Sequence, residues 1–182
     1  MSILAKRLLA IDAAFAAGGI RHAFGGAIAL AYCTGEPRAT IDLDINVFLP
    51  TGQANTALAA LPPEVTVTER NRSDLARVGQ TRAWWEDTPI DLFLNTHTFH
   101  DLAAARVRSV PFVGHSVPVL DCTTLAVFKV FFDRTKDWAD LEAMSDAGQL
   151  DVTAVSALVA SLLGPDDDRL ARLAALADGA AL

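Results

Sequence analysis

Cysteine is scarce: two residues in 182. Cys33 and Cys122 show no paired spacing, so no disulfide framework is legible, and both read as reduced, buried thiols of a cytosolic protein. No apolar run approaches the ~18 residues that a membrane span needs, which excludes a spanning helix. The first residues, Met1 to Arg7, open as an amphipathic helix. They lack the long apolar run and small-residue cleavage site of a signal peptide, so none is expected. Basic charge is also short. Fifteen Lys and Arg face 22 Asp and Glu, giving a net charge of −7 and a pI near 4.9. That argues against a basic surface over the whole protein for gripping nucleic acid. It leaves room for a local basic patch and suits a site that collects divalent cations. Repeats and low-complexity linkers are absent. The expectation is a cytoplasmic protein with no membrane partner.

What remains is rich in core-forming residues: 52% of the chain is apolar, enough for one domain with or without a helical appendage. Leu4, Leu8, Ile11 and Phe15 recur at helical spacing before Gly18-Gly19 ends the run. A short strand, Arg21 to Phe24, leads into Gly25-Gly26 and an apolar helical stretch to Tyr32. Thr40 to Leu49 is the clearest strand, followed by a helix over about Gln53 to Ala60. Val65 to Thr68, Thr81 to Trp85 and Ile90 to Leu94 read as strands, and Val107 to Val113 with Val117 to Leu120 as a hairpin around Gly114-His115. Four helices follow: Thr123 to Phe132, Lys136 to Ala147, Val152 to Leu163, with Asp151 as N-cap, and Asp167 to Ala177. The fold class expected is α+β: a mixed sheet with flanking helices over residues 1–120 and a C-terminal helical region, 121–182, packed on it.

The chemistry gathers on one strand. Side chains alternate faces along Ile41 to Leu49. Ile41, Leu43, Ile45, Val47 and Leu49 form an apolar face; Asp42, Asp44 and Asn46 form the other. The two carboxylates stand roughly 6–7 Å apart along the strand. Like charges that close repel unless a cation bridges them, and hard ions such as Mg²⁺ favour carboxylate oxygens. Asp91 repeats the pattern, pointing away from the apolar face of Ile90, Leu92 and Leu94. If the two strands are neighbours, three carboxylates converge, the requirement for holding metal against a triphosphate. Gly25-Gly26, after a strand and before a helix, lets backbone approach phosphate oxygens. Taken singly, each feature has an ordinary reading: a solvated strand face, a turn, a surface carboxylate. Their order and placement together carry the inference.

Gly25-Gly26-Ala27 followed by Arg38-Ala39-Thr40-Ile41-Asp42-Leu43-Asp44 resembles the signature of the polymerase-beta-type nucleotidyltransferase superfamily. Within it, the segment is similar to AbiEii-type toxins and to aminoglycoside and lincosamide nucleotidyltransferases. Lys129, Arg134-Thr135-Lys136-Asp137 and Asp140-Leu141 resemble the AbiEii side more closely. The resemblance covers about a quarter of the chain in three blocks. It implies that Gly25 and Gly26 hold the β- and γ-phosphates, and that Asp42, Asp44 and Asp91 ligate Mg²⁺. Asp91 also becomes a candidate base toward the acceptor hydroxyl. Lys129 and Lys136 would neutralise triphosphate charge, and Asp137 would orient a lysine or touch the nucleotide. Where this family often has serine after the first glycine, Gly26 stands here.

The activity so implied is transfer of a nucleoside monophosphate from an NTP by in-line attack at the α-phosphorus. The acceptor is RNA, such as a tRNA 3′ end, in an AbiEii-like toxin with a cognate antitoxin partner. In the alternative it is a small molecule of the aminoglycoside or lincosamide kind, which fits the chain's size and acidity. A third reading is a non-catalytic nucleotide-binding module. Arg70, Arg72, Arg77 and Arg82 offer a basic path for RNA or a plain solvated face, and Arg38 reads as a loop residue. His97 and His100 lack the companions a zinc site needs. Trp84-Trp85 sets one indole on each strand face, one for the core and one able to stack on a base.

Overall fold

The computed structural model describes residues 1–177. The α+β reading holds: a six-stranded mixed sheet accompanies helices in both parts of the chain. The chain divides into two compact units, Met1–Ile28 with Ala39–Leu120, and Ala29–Arg38 with Asp121–Leu182.

The first unit opens with α1 (Ile3–Ala17), capped by the Ser2 side chain, which accepts from the Ala5 N–H. Leu8, Ile11 and Phe15 of α1 are fully buried, as their spacing requires. Strand β1 (His22–Phe24) leads through Gly25 into α2 (Gly26–Thr34), and β2 (Leu43–Pro50) follows a loop. A 3₁₀ turn at Thr51–Gln53 then feeds α3 (Ala54–Ala59). Next come α4 (Glu69–Val78), β3 (Gln80–Trp85), β4 (Thr88–Asn95), α5 (Phe99–Ala105), β5 (Arg108–Phe112) and β6 (His115–Val119). The strand order is β3-β4-β2-β1-β6-β5. Strand β2 is central, parallel to β4 and antiparallel to β1; β1 runs parallel to β6, and β3–β4 and β5–β6 are antiparallel hairpins. Leu43, Ile45, Val47, Ile90 and Leu92 are fully buried on the apolar side.

Several expectations are corrected. Val65 to Thr68 is not a strand: Thr66 makes one isolated bridge to Trp84, and Thr68 instead caps α4. Its hydroxyl accepts from the Asn71 N–H while Asn71 Oδ1 accepts from the Thr68 N–H, a reciprocal cap that wins over the local β-propensity. Ile41, expected inside, is 75% exposed because β2 begins only at Leu43.

The second unit contains α6 (Cys122–Phe132), α7 (Thr135–Asp146), α8 (Val152–Leu163) and α9 (Asp168–Ala177), close to the helices expected. Asp151 caps α8, accepting from the Ala154 N–H. The reduced-thiol reading is overturned: Cys33 and Cys122 form a disulfide with Cα atoms 5.6 Å apart, across 89 positions. Sequence spacing could not show this, because the pairing is made by the fold. It also removes the thiol argument for a cytosolic location. Among the described residues, no helix is long and apolar enough to cross a membrane.

Candidate active site

Register decides the geometry of the acidic face. In the parallel pair β2–β4, Asp44 stands directly beside Asp91, Leu43 beside Ile90 and Ile45 beside Leu92. Neighbouring strands lie about 4.8 Å apart and paired residues share a face, so the two carboxylates rise side by side. Asp42 stands one residue before β2, and its charge acts on Arg82 together with those of Asp44 and Asp91. All three are partly exposed, whereas the residues between them are buried.

The glycine turn abuts this face. The Gly25 N–H donates to the Asp44 carbonyl at 2.8 Å, which ties the turn to β2. Gly26 has φ +49°, and a Cβ placed on it would come within 1.8 Å of Asp44 Oδ2. Two constraints therefore demand glycine there: a left-handed backbone and the contact of bare main chain with a carboxylate. Asn46, next on the same face, is 5% exposed and borders Gly25.

Two partners of the carboxylates were not assigned from sequence. The Thr40 hydroxyl donates to Asp42 Oδ1. Arg82 stands opposite Asp91 in the β3–β4 hairpin and grips it with both arms of its guanidinium, at 2.7 Å through Nε and 2.6 Å through Nη2. The Arg82 guanidinium is held above its ordinary range, first by that hydrogen-bonded pair and then by the charges of Asp91, Asp42 and Asp44. A two-residue turn at Glu86-Asp87 pairs Trp85 with Thr88 and so Arg82 with Asp91. The turn is pinned from α1, where the buried Arg7 pairs with Glu86, Asp87 and Thr88. Trp84 lies on the same face as Arg82 and is 45% exposed; its neighbour Trp85 points the other way and meets Arg7.

Oxygen-only donors on neighbouring strands are the right chemistry for Mg²⁺. As placed, the described residues do not draw three acidic or imidazole groups into one ligand set. Arg82 and Thr40 each engage a carboxylate that such a set would use.

Lys129, Lys136 and Asp137 lie in the second unit. Lys129 is 6% exposed; its Nζ donates to Asp140 Oδ2 and stands 3.8 Å from Asp137 Oδ1. Arg38 joins Asp140 through both guanidinium arms, and Arg134 joins Asp137 in the same way. Arg38, expected as a plain loop residue, is thus part of a five-member ionic network. Lys129 does not snorkel along its apolar helix but meets two buried carboxylates. Lys136 is exposed on α7.

No protein family's sequence pattern matches the chain, and no curated protein sequence does. Solved structures do. A solution structure of the antibiotic-resistance factor ANT(2'')-Ia aligns over 97% of this chain and 96% of its own length, with TM-score 0.61 and 14% identity. The chain has the nucleotidyltransferase fold. A crystal structure of ANT(2'')-Ia with adenylyl-2''-tobramycin aligns over 99% and 100%, with TM-score 0.55 and 12% identity. An antigenic nucleotidyltransferase-like protein from Paracoccidioides brasiliensis aligns over 96% and 94%, with TM-score 0.55 and 14% identity. The nucleotidyltransferase fold thus extends over nearly the whole chain, helical unit included.

Proposed function

We propose that this chain transfers a nucleoside monophosphate from an NTP to a hydroxyl of a small cationic acceptor, with Mg²⁺ held by Asp42, Asp44 and Asp91. One observation carries the reading: Asp44 and Asp91 stand in register on adjacent strands, against a glycine turn whose Gly26 leaves no room for a side chain. Bound at these oxygens, a divalent ion would neutralise the carboxylates and offset charge on the triphosphate.

The residues of the chain divide the remaining work. Gly25 contributes space, since its N–H is already given to Asp44. Gly26 opens α2, where free N–H groups at a helix start favour phosphate oxygens. Asp91, at the edge of the carboxylate row nearest β3, is placed to accept the proton of an acceptor hydroxyl arriving over that strand. Trp84, exposed on the same face, offers an apolar wall for the acceptor's ring. A net charge of −7 draws in a cationic acceptor and repels RNA. The end-to-end likeness to a nucleotidyltransferase solved with an adenylylated aminoglycoside supports the same choice.

The test offers each labelled NTP with Mg²⁺ to an aminoglycoside panel, to purified tRNA and to total RNA. Label is expected on an aminoglycoside. Label on RNA alone would overturn the small-acceptor part and favour the AbiEii-like reading, and an antitoxin partner would then be sought. Nucleotide binding without transfer to any acceptor would overturn catalysis and leave a nucleotide-binding module. Asp42→Asn with Asp44→Asn should cut transfer at least about a hundredfold while circular dichroism stays unchanged; an active double variant would remove these residues from the site.

A further inference from the structure

The carboxylate face already carries a cation of its own, the guanidinium of Arg82. Its two hydrogen bonds to Asp91 take the oxygens that an ion bridging Asp44 and Asp91 would need. Geometry says which partner yields. The Asp91 side chain is 14% exposed on β4, which has a strand on either side, whereas that of Arg82 is 51% exposed on the edge strand. The backbone beneath Arg82 is fastened: Asn71 of α4 donates to the Arg82 carbonyl at 2.8 Å and to the Thr81 hydroxyl at 2.9 Å. Only the guanidinium and its stem are therefore able to swing, and they swing toward solvent. We propose that Arg82 is a built-in counter-cation that occupies Asp91 and must release it before a divalent ion binds, so that Arg82 sets the affinity of the site for that ion.

The arrangement solves a problem that the acidic face creates. Three carboxylates around one site repel one another whenever no ion is present. A guanidinium held against one of them offsets that repulsion, and because half of it lies in water its hold is weak enough to be broken. Arg82 acts through Asp91 and is a positioning residue. Its neighbours on the edge strand do not share the role: Gln80 is uncharged, and Trp84 faces Pro89.

The inference rests on the reading that these carboxylates take a divalent ion, and the experiment separates the two. Mn²⁺ binding to the full chain without nucleotide is followed by electron paramagnetic resonance. Wild type is compared with Arg82→Ala, Arg82→Lys, Arg77→Ala and Asp91→Asn. Arg77 is an exposed arginine of α4 paired with Asp74, so its removal changes the net charge equally without touching Asp91. Arg82→Ala should bind Mn²⁺ about three- to fivefold more tightly, the competition a half-exposed ion pair supplies. Arg82→Lys should fall between it and wild type, Arg77→Ala should match wild type, and Asp91→Asn should bind more weakly. Equal or weaker binding by Arg82→Ala, or equal tightening by Arg77→Ala, overturns the role of Arg82 alone. No binding by any variant overturns the ion site and this inference with it. Should Arg82→Ala fail to fold, Arg82→Gln carries the same expectation.

Discussion

A methyl group at residue 26 would meet two obstacles at once. The left-handed backbone there costs an L-residue about 1–2 kcal/mol, and Asp44 Oδ2 would lie 1.8 Å from the new carbon. Gly25 meets a milder obstacle: φ is not positive, and a Cβ would press on Asn46 Nδ2 at 3.2 Å and Leu120 Cδ1 at 3.3 Å, which a shift of a few tenths of an ångström relieves. Gly26→Ala should therefore lower stability by about 1–3 kcal/mol and also weaken Mn²⁺ binding, because the Asp44 carboxylate must turn aside. Gly25→Ala should do much less. Urea unfolding and Mn²⁺ titration of the two variants check the order; equal effects would show that the contact with Asp44 is not what fixes glycine at 26. The same residue-level logic explains how Lys129 can be buried: two carboxylates, each joined by an arginine, offset the cost of taking its charge out of water.

Elements differ in how openly the sequence declares them. The alternation of Leu43, Asp44, Ile45 and Asn46 announces both strand and face, so the acidic row could be read directly. So could the C-terminal helices, whose apolar residues recur at helical spacing. Helix α4 could not, for it buries only Asn71 and Leu75 and is otherwise mostly charged or small, which leaves no periodic stripe. Its signals are the Thr68–Asn71 cap and left-handed Gly79, which act through hydrogen bonds. Helix α5 is seven residues, too short for a pattern to establish itself. The disulfide is the extreme case, linking the end of α2 to the start of α6 across 89 positions. Closing so long a loop restricts the unfolded chain by about 4–5 kcal/mol in the chain-entropy account, of which about 2–4 is commonly realised. Cys33→Ser should lower Tm by roughly 5–15 °C. Calorimetry under reductant should bring wild type down to the variant; a Tm insensitive to reductant would show that the bridge does not restrain the chain.

For the molecule as a whole, charge is the property that bears on the acceptor. With a net charge of −7, the protein attracts cations over a Debye length of about 30 Å at 0.01 M salt but only about 8 Å at 0.15 M. The KM for an aminoglycoside acceptor should therefore rise severalfold over that interval, while kcat changes little. A KM that falls with salt would point to a polyanionic competitor or acceptor instead. The fold was legible at the level of class and sheet, and its likeness to nucleotidyltransferases spans nearly the whole chain. What lay beyond reach was the company each carboxylate keeps, because Thr40 and Arg82 reach theirs through a bend and a hairpin register.

That hairpin also limits how such a chain can change over generations. The link between β3 and β4 is two residues, Glu86 and Asp87, with no slack. One inserted residue that no bulge took up would slip the strands by a place and turn every β3 side chain to the opposite side of the sheet. Arg82 would then be driven among Ile90 and Leu92, and Asp91 would lose its clasp. Lineages that retain this acidic row should keep that link at constant length, while the β5–β6 hairpin, at the far edge of the sheet, is at liberty to lengthen or shrink.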